Sequence, residues 1–151
     1  MRERLRILFL CTGNSCRSQM AEGWTRHMKG DRIEAHSAGI IKTRLNPHAV
    51  TVMAEVGINI SGYLSKEVHE MMDIPFDYVV TVCDHARETC PLFPGKARKM
   101  HCGFDDPPSL TADMPDGEEK LNVYRRIRDE IREFIETLPE SLVNQTGGNG
   151  A

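Results

Sequence analysis

Leu5-Arg6-Ile7-Leu8-Phe9-Leu10 runs straight into Cys11-Thr12-Gly13-Asn14-Ser15-Cys16-Arg17-Ser18, and Gln19-Met20-Ala21-Glu22-Gly23-Trp24 follows. The apolar run reads as a strand, the segment around Gly13 as a tight turn, and the third piece as the opening of a helix. In that order they build a cradle for an oxyanion: backbone N–H groups converge there, and the helix dipole adds positive potential. Arg17 lies six residues after Cys11, so the loop can curl round and bring the guanidinium fork over the same anion. Cys11 stands at the mouth of this positive field, which favours the thiolate, and the Ser18 hydroxyl can donate to the sulfur. The candidate oxyanion-binding residues are therefore Thr12, Gly13, Asn14, Ser15, Cys16, Arg17 and Ser18, with Cys11 as nucleophile. A cysteine and an arginine six apart recur by chance; the strand before and the helix after give this pair its meaning.

The rest of the chain alternates strands with helices. The first helix is expected from about Ser18 to Met28 and a second strand over Ile33–Ala38, closed by Gly39. Asn46-Pro47 signals a helix start, with Asn46 as cap and Pro47 in the first turn. This helix is expected to turn Val50, Met53, Ala54 and Val56 inward and to end at Gly57. Ile58 to Tyr63 reads as a connector, and Ser65 as the cap of a short helix from Lys66 to Met72. Asp77–Cys83 is β-branched and reads as a buried parallel strand, and Ala97–Cys102 as a fourth, edge strand. Tyr124, Ile127, Ile131, Phe134, Ile135 and Leu138 recur at helical spacing in a last amphipathic helix that Pro139 stops. The fold class implied is α/β: a single flavodoxin-like domain, residues 1–140, with a four-stranded parallel sheet and helices on both faces. Its ligand site belongs at the switch point after strand one, where Cys11 lies. A polar, glycine-rich tail over 141–151 is expected to be disordered.

Composition narrows the function classes. The chain has 151 residues and a net charge of −3, which gives no reason to expect nucleic acid or an anionic membrane as partner. Five cysteines, an odd number, with no signal peptide or membrane span in view, argue for reactive thiols in a reducing, cytoplasmic setting. A monomer is expected.

Cys83 ends strand three, at the same sheet edge as Cys11, and Cys90 follows seven residues later. In a helix such residues lie about 10 Å apart along the axis. A disulfide needs Cα atoms within about 7 Å, so a Cys83–Cys90 bridge requires the intervening turn to unwind. Pro91, Pro94 and Gly95 would leave that segment weakly held. This suggests a redox switch; the plainer readings are a core thiol at a strand end and an idle surface thiol. Zinc is not supported, because Cys83, His85, Cys90, His101 and Cys102 match no strong spacing pattern. Cys16 is expected to pack behind the loop and Cys102 to be structural. Asp106, in Phe104-Asp105-Asp106-Pro107-Pro108, is a candidate general acid, since proton transfer to a leaving oxygen requires a loop carboxyl facing the cradle. On the residues alone a solvated loop aspartate, like Asp105, is the plainer reading.

The loop Cys11–Ser18 resembles the signature of the low-molecular-weight tyrosine phosphatase superfamily. With Gln19-Met20-Ala21-Glu22 it is more similar to that superfamily's thioredoxin-coupled arsenate reductases, and the likeness runs from Arg6 to about Leu138. The resemblance implies that Cys11 binds and attacks arsenate, that Cys83 attacks next, and that Cys90 resolves the disulfide. It also implies Arg17 over the oxyanion, Asp106 as general acid, and thioredoxin as reductant, with glutaredoxin possible. Pro108, Ser109 and Leu110 stand where tyrosine phosphatases place aromatic residues, which favours a small inorganic substrate. Some such reductases hold a potassium ion beside the loop. Asn14, Glu22 and Ser37 match its ligand positions, but Leu64 and Lys66 stand where threonine and aspartate would be expected. Lys66 either sits against Glu22 or is simply solvated, and the expectation is no metal, no cofactor and no need of potassium. Two other readings remain: a phosphomonoester hydrolase using Cys11, Arg17 and Asp106 alone, and a redox sensor that would leave the cradle unexplained.

Overall fold

The computed structural model describes residues 4–91, 93 and 97–143. Its elements run β1 (Leu5–Cys11), α1 (Arg17–Lys29), β2 (Ile33–Gly39), α2 (Pro47–Glu55), a 3-10 helix (Val68–Met71), β3 (Tyr78–Thr81), α3 (Asp84–Thr89), β4 (Arg98–His101), α4 (Pro107–Leu110) and α5 (Glu118–Glu136). The strands form one parallel sheet in the order β2-β1-β3-β4. With its flanking helices this is the flavodoxin-like architecture that the alternating pattern predicts.

β1 lies inside the sheet, between β2 and β3, as its apolar sequence favours. Ile7, Leu8, Phe9 and Leu10 are all fully buried, as a strand covered on both faces requires. Its last residue, Cys11, pairs with Gly39 at the end of β2, so both strands stop at the edge where the cradle begins. α1, α2 and α5 pack on one another, and α3 lies against β1 and β3. α5 buries Tyr124, Ile127, Ile131 and Ile135 along one stripe, while Phe134 is only half-buried. Trp24 of α1 reaches the same helix, its indole N–H donating to the Arg128 carbonyl at 3.0 Å.

Several local expectations are corrected. α2 turns Ala49, Val52 and Met53 inward, while Val50 and Val56 are half-buried and Ala54 is exposed. The Asn46 cap sets the helix's rotation, because its side-chain oxygen accepts from the N–H groups of His48 and Ala49. Ile58 and Ile60, in the supposed connector, are core residues. The short helix after it is a single 3-10 turn, capped by a reciprocal Glu67–Glu70 box rather than by Ser65. Ser65 is diverted to the cradle, where its hydroxyl donates to the Gly13 carbonyl at 3.0 Å. Residues 140–143 are helical with Leu142 buried, and the remainder of the expected tail, residues 144–151, lies outside the described residues.

Candidate active site

The turn after β1 closes on itself through side chains as well as backbone. Asn14 adopts φ 50, a left-handed conformation that asparagine tolerates. Its amide nitrogen donates to the Ser18 hydroxyl at 2.9 Å and to the Ser37 hydroxyl at 3.0 Å. Since Ser18 Oγ accepts there, its own proton is free for Cys11 Sγ, 2.9 Å away. The Gly13 carbonyl is held from outside by the hydroxyls of Thr43 and Ser65. The chain beyond β2 pins the loop further, with Ile40 N–H donating to the Cys11 carbonyl and Ile41 N–H to that of Thr12, both at 3.0 Å.

Above the loop is a cavity of about 460 Å³, lined by Cys11, Gly13, Ser15 and Arg17 of the loop and by Thr43, Arg44, Asp106 and Pro108 from elsewhere. No aromatic ring lines it, in keeping with the aliphatic and polar residues that follow Asp106. Arg17 is fixed from behind, donating from Nη1 to the Phe104 carbonyl at 3.0 Å, while its Nη2 lies 3.6 Å from Asp106 Oδ1. Asp106 and Arg17 thus face each other at the cavity that both line. The other oxygen of Asp106 accepts from Ser109 at 2.7 Å, and the residue occupies the N-cap position of α4, a four-residue helix in a stretch whose sequence reads as loop.

The five cysteines are all free thiols but are not alike. Cys11, Cys16 and Cys83 are buried, and Cys90 and Cys102 are half-buried. Burial, with a smaller contribution from nearby Cys11, pushes the Cys16 thiol far above the usual cysteine value, so it stays protonated. Burial also raises the thiols of Cys90 and Cys102. Cys83 lies just past the end of β3, which stops at Thr81, and serves as N-cap of α3 by accepting from the Ala86 N–H at 3.4 Å. Its sulfur is 3.3 Å from Thr12 Oγ1, so the cradle and the second thiol touch through one hydroxyl. It opens onto a strongly polar cavity that shares Arg17 and Asp106 with the first. Cys90 is the C-cap of the same helix, which buries only Ala86; Pro94 and Gly95 lie outside the described residues.

Sequence reasoning missed the residues that reach the site through space. Thr43, Arg44 and Asn46 arrive from the segment after β2; nothing in the local pattern marks the first two, and Asn46 is marked only as a helix cap. Ser109 had a signal, standing three residues after Asp106 as a cap partner does. Lys66 and Glu22 do meet: the ammonium is 4.0 Å from Glu22 Oε1.

Comparison with known proteins agrees with this geometry. A family model described as low molecular weight phosphotyrosine protein phosphatase matches residues 6–147. The chain is 48% identical over 135 residues to an arsenate reductase of Halalkalibacterium halodurans, spanning 89% of this chain and 95% of the relative. A solved arsenate reductase in its phosphate-binding state superposes with a TM-score of 0.72 at 29% identity, covering 89% of this chain and 95% of the other. A low molecular weight protein tyrosine phosphatase from T. tengcongensis superposes at 0.70 with 30% identity, covering 91% and 99%.

Proposed function

The chain belongs to the low molecular weight phosphotyrosine protein phosphatase family, and from that premise we propose that it reduces arsenate to arsenite through a relay of Cys11, Cys83 and Cys90. The observation that carries this reading is the second thiol at the cradle: Cys83 Sγ lies 3.3 Å from the Thr12 hydroxyl, at the head of a helix that ends in Cys90. Ester hydrolysis needs neither thiol.

Arsenate binds to the backbone N–H groups of the loop and to Arg17. The Cys11 thiolate attacks arsenic while Asp106 protonates the departing oxygen, which leaves as water. The Cys83 thiolate then attacks Cys11 Sγ. The electron pair of the sulfur–arsenic bond stays on arsenic, which falls from As(V) to As(III) and leaves as arsenite. The Cys90 thiolate attacks Cys83 Sγ and releases Cys11, moving the disulfide to Cys83–Cys90. That bridge requires α3 to unwind, because its ends are about 10 Å apart while helical. A helix fastened by one buried alanine opens at low cost. A dithiol protein of the thioredoxin type then reduces the bridge, with a glutaredoxin as the other candidate donor.

Peptide mapping after one equivalent of arsenate tests the order of steps. The wild-type protein should carry Cys83–Cys90, and Cys90→Ser should stop with Cys11–Cys83 and one arsenite released per chain. If Cys90→Ser shows no disulfide while wild-type protein hydrolyses an aryl phosphate without oxidising any thiol, the protein is a phosphatase.

A further inference from the structure

Next to the cradle, but outside the cavity lining, lies a carboxylate that the proposed chemistry does not use. The Glu22 side chain is only 4% exposed. Its Oε1 accepts from the Ser37 hydroxyl at 2.5 Å, and its Oε2 is 2.7 Å from Arg26 Nη2. Ser37 in turn accepts from the Asn14 amide, which also donates to Ser18, the partner of Cys11. An unbroken chain of hydrogen bonds therefore joins a buried negative charge to the nucleophile and the loop.

Lys66 closes this cluster from the other side. Its main-chain N–H donates to Asn14 Oδ1 at 2.8 Å. Its ammonium donates to the Leu64 carbonyl at 2.7 Å and stands 4.0 Å from Glu22 Oε1, with the side chain 23% exposed. Burial lowers its pKa from the ordinary lysine value, and Glu22 opposes that fall. A carboxylate and a carbonyl oxygen, with hydroxyl and amide oxygens nearby, is the donor set of a hard monovalent cation. The residues present do not fit a potassium ion, however. Leu64 contributes no side-chain oxygen, and Lys66 brings a charge of the same sign into the space.

We propose that the Lys66 ammonium is a built-in cation, which occupies the oxygen-lined slot between Glu22 and the Leu64 carbonyl and holds the cradle ready for oxyanions without an added metal ion. It acts as a positioning residue. With Arg26 as its only cationic partner, itself half exposed, the Glu22 carboxylate would keep only the Ser37 hydroxyl on its inner oxygen, and its net charge would repel an incoming dianion. The proposal rests on the oxyanion cradle and not on the cysteine relay. A probe that needs no second thiol therefore separates the two.

Inorganic phosphate is that probe, titrated calorimetrically into wild-type, Lys66→Ala and Lys66→Met proteins in potassium, sodium, ammonium or choline chloride at matched ionic strength. Thermal midpoints are measured in the same salts. Wild-type affinity and midpoint should be the same in all four. Lys66→Ala should bind phosphate about tenfold more weakly in choline chloride and recover to within about twofold in potassium or ammonium chloride, its midpoint rising in parallel. Lys66→Met, which fills the slot without charge, should be weakened in every salt. Potassium-dependent binding by the wild type would overturn the proposal. So would unchanged phosphate affinity of Lys66→Ala in choline chloride, or an equal loss in all salts.

Discussion

Two cysteines of one loop, five residues apart, have different neighbours. Both line the cavity and both are buried, but Cys11 lies beside the Ser18 hydroxyl, whereas burial and the neighbouring Cys11 hold the Cys16 thiol protonated. The consequence for stability has a definite sign. A thiol whose folded pKa is raised keeps its proton in the native state and loses it on unfolding. Its contribution is complete below the unfolded value of about 8.5 and is lost progressively as pH rises above it. Urea unfolding under reducing conditions should show stability falling between pH 8.5 and 10, with a slope from this one group that steepens toward about 1.4 kcal/mol per pH unit. Cys16→Ala should have a correspondingly shallower slope; an identical slope would mean that Cys16 ionises freely in the native protein. The loop residues from Cys11 to Ser18 were legible because they are contiguous and the geometry of strand, turn and helix dictates what they face. Arg44 and Ser65 were not, since each meets the loop only through tertiary contact.

At the scale of elements, the cradle is a junction between β1, α1 and the end of β2. Gly39 is the tightest point of that junction. A Cβ there would lie 2.6 Å from the Asn14 nitrogen and the Ile41 oxygen and 2.7 Å from the Gly13 carbonyl carbon, all of them backbone atoms that cannot swing aside. Gly39→Ala should therefore displace the loop, costing about 1–3 kcal/mol of stability and abolishing phosphate binding. Gly62→Ala, with nothing within 4 Å, should change neither and serves as the control. Retained phosphate affinity in Gly39→Ala would show that the loop does not depend on this approach. Elements with strong periodicity or caps were readable in advance, α5 from its apolar stripe and α2 from Asn46-Pro47. The 3-10 helix and α4 were not, because four-residue turns carry too little pattern and their caps, Glu67 and Asp106, are ordinary acidic residues. The inward face of α2 was misjudged because its rotation follows from the Asn46 cap and from packing on α1 and α5.

For the whole molecule, topology decides which thiols can cooperate. The order β2-β1-β3-β4 makes β1 and β3 neighbours, so the loops leaving them meet, although Cys11 and Cys83 are 72 residues apart. That meeting was legible from the alternation of strands and helices, together with the rule that parallel strands present their carboxyl ends on one edge. The prolines and glycine after Cys90 already pointed to a weakly held segment; what the sequence could not show is the absence of burial on five of the six residues of α3. In the proposed relay the cradle and the lightly buried helix divide the work: one would bind and activate the oxyanion, the other would carry the disulfide away from it. No helix among the described residues is long and apolar enough to cross a membrane. The most direct test of the account is arsenite release in the presence of thioredoxin, thioredoxin reductase and NADPH, compared among wild-type, Cys83→Ser and Cys90→Ser proteins. Sustained turnover is predicted for the wild type alone, with Cys90→Ser limited to one arsenite per chain. Wild-type turnover matched by Cys90→Ser, or arsenate that draws no electrons from NADPH at all, would contradict the relay.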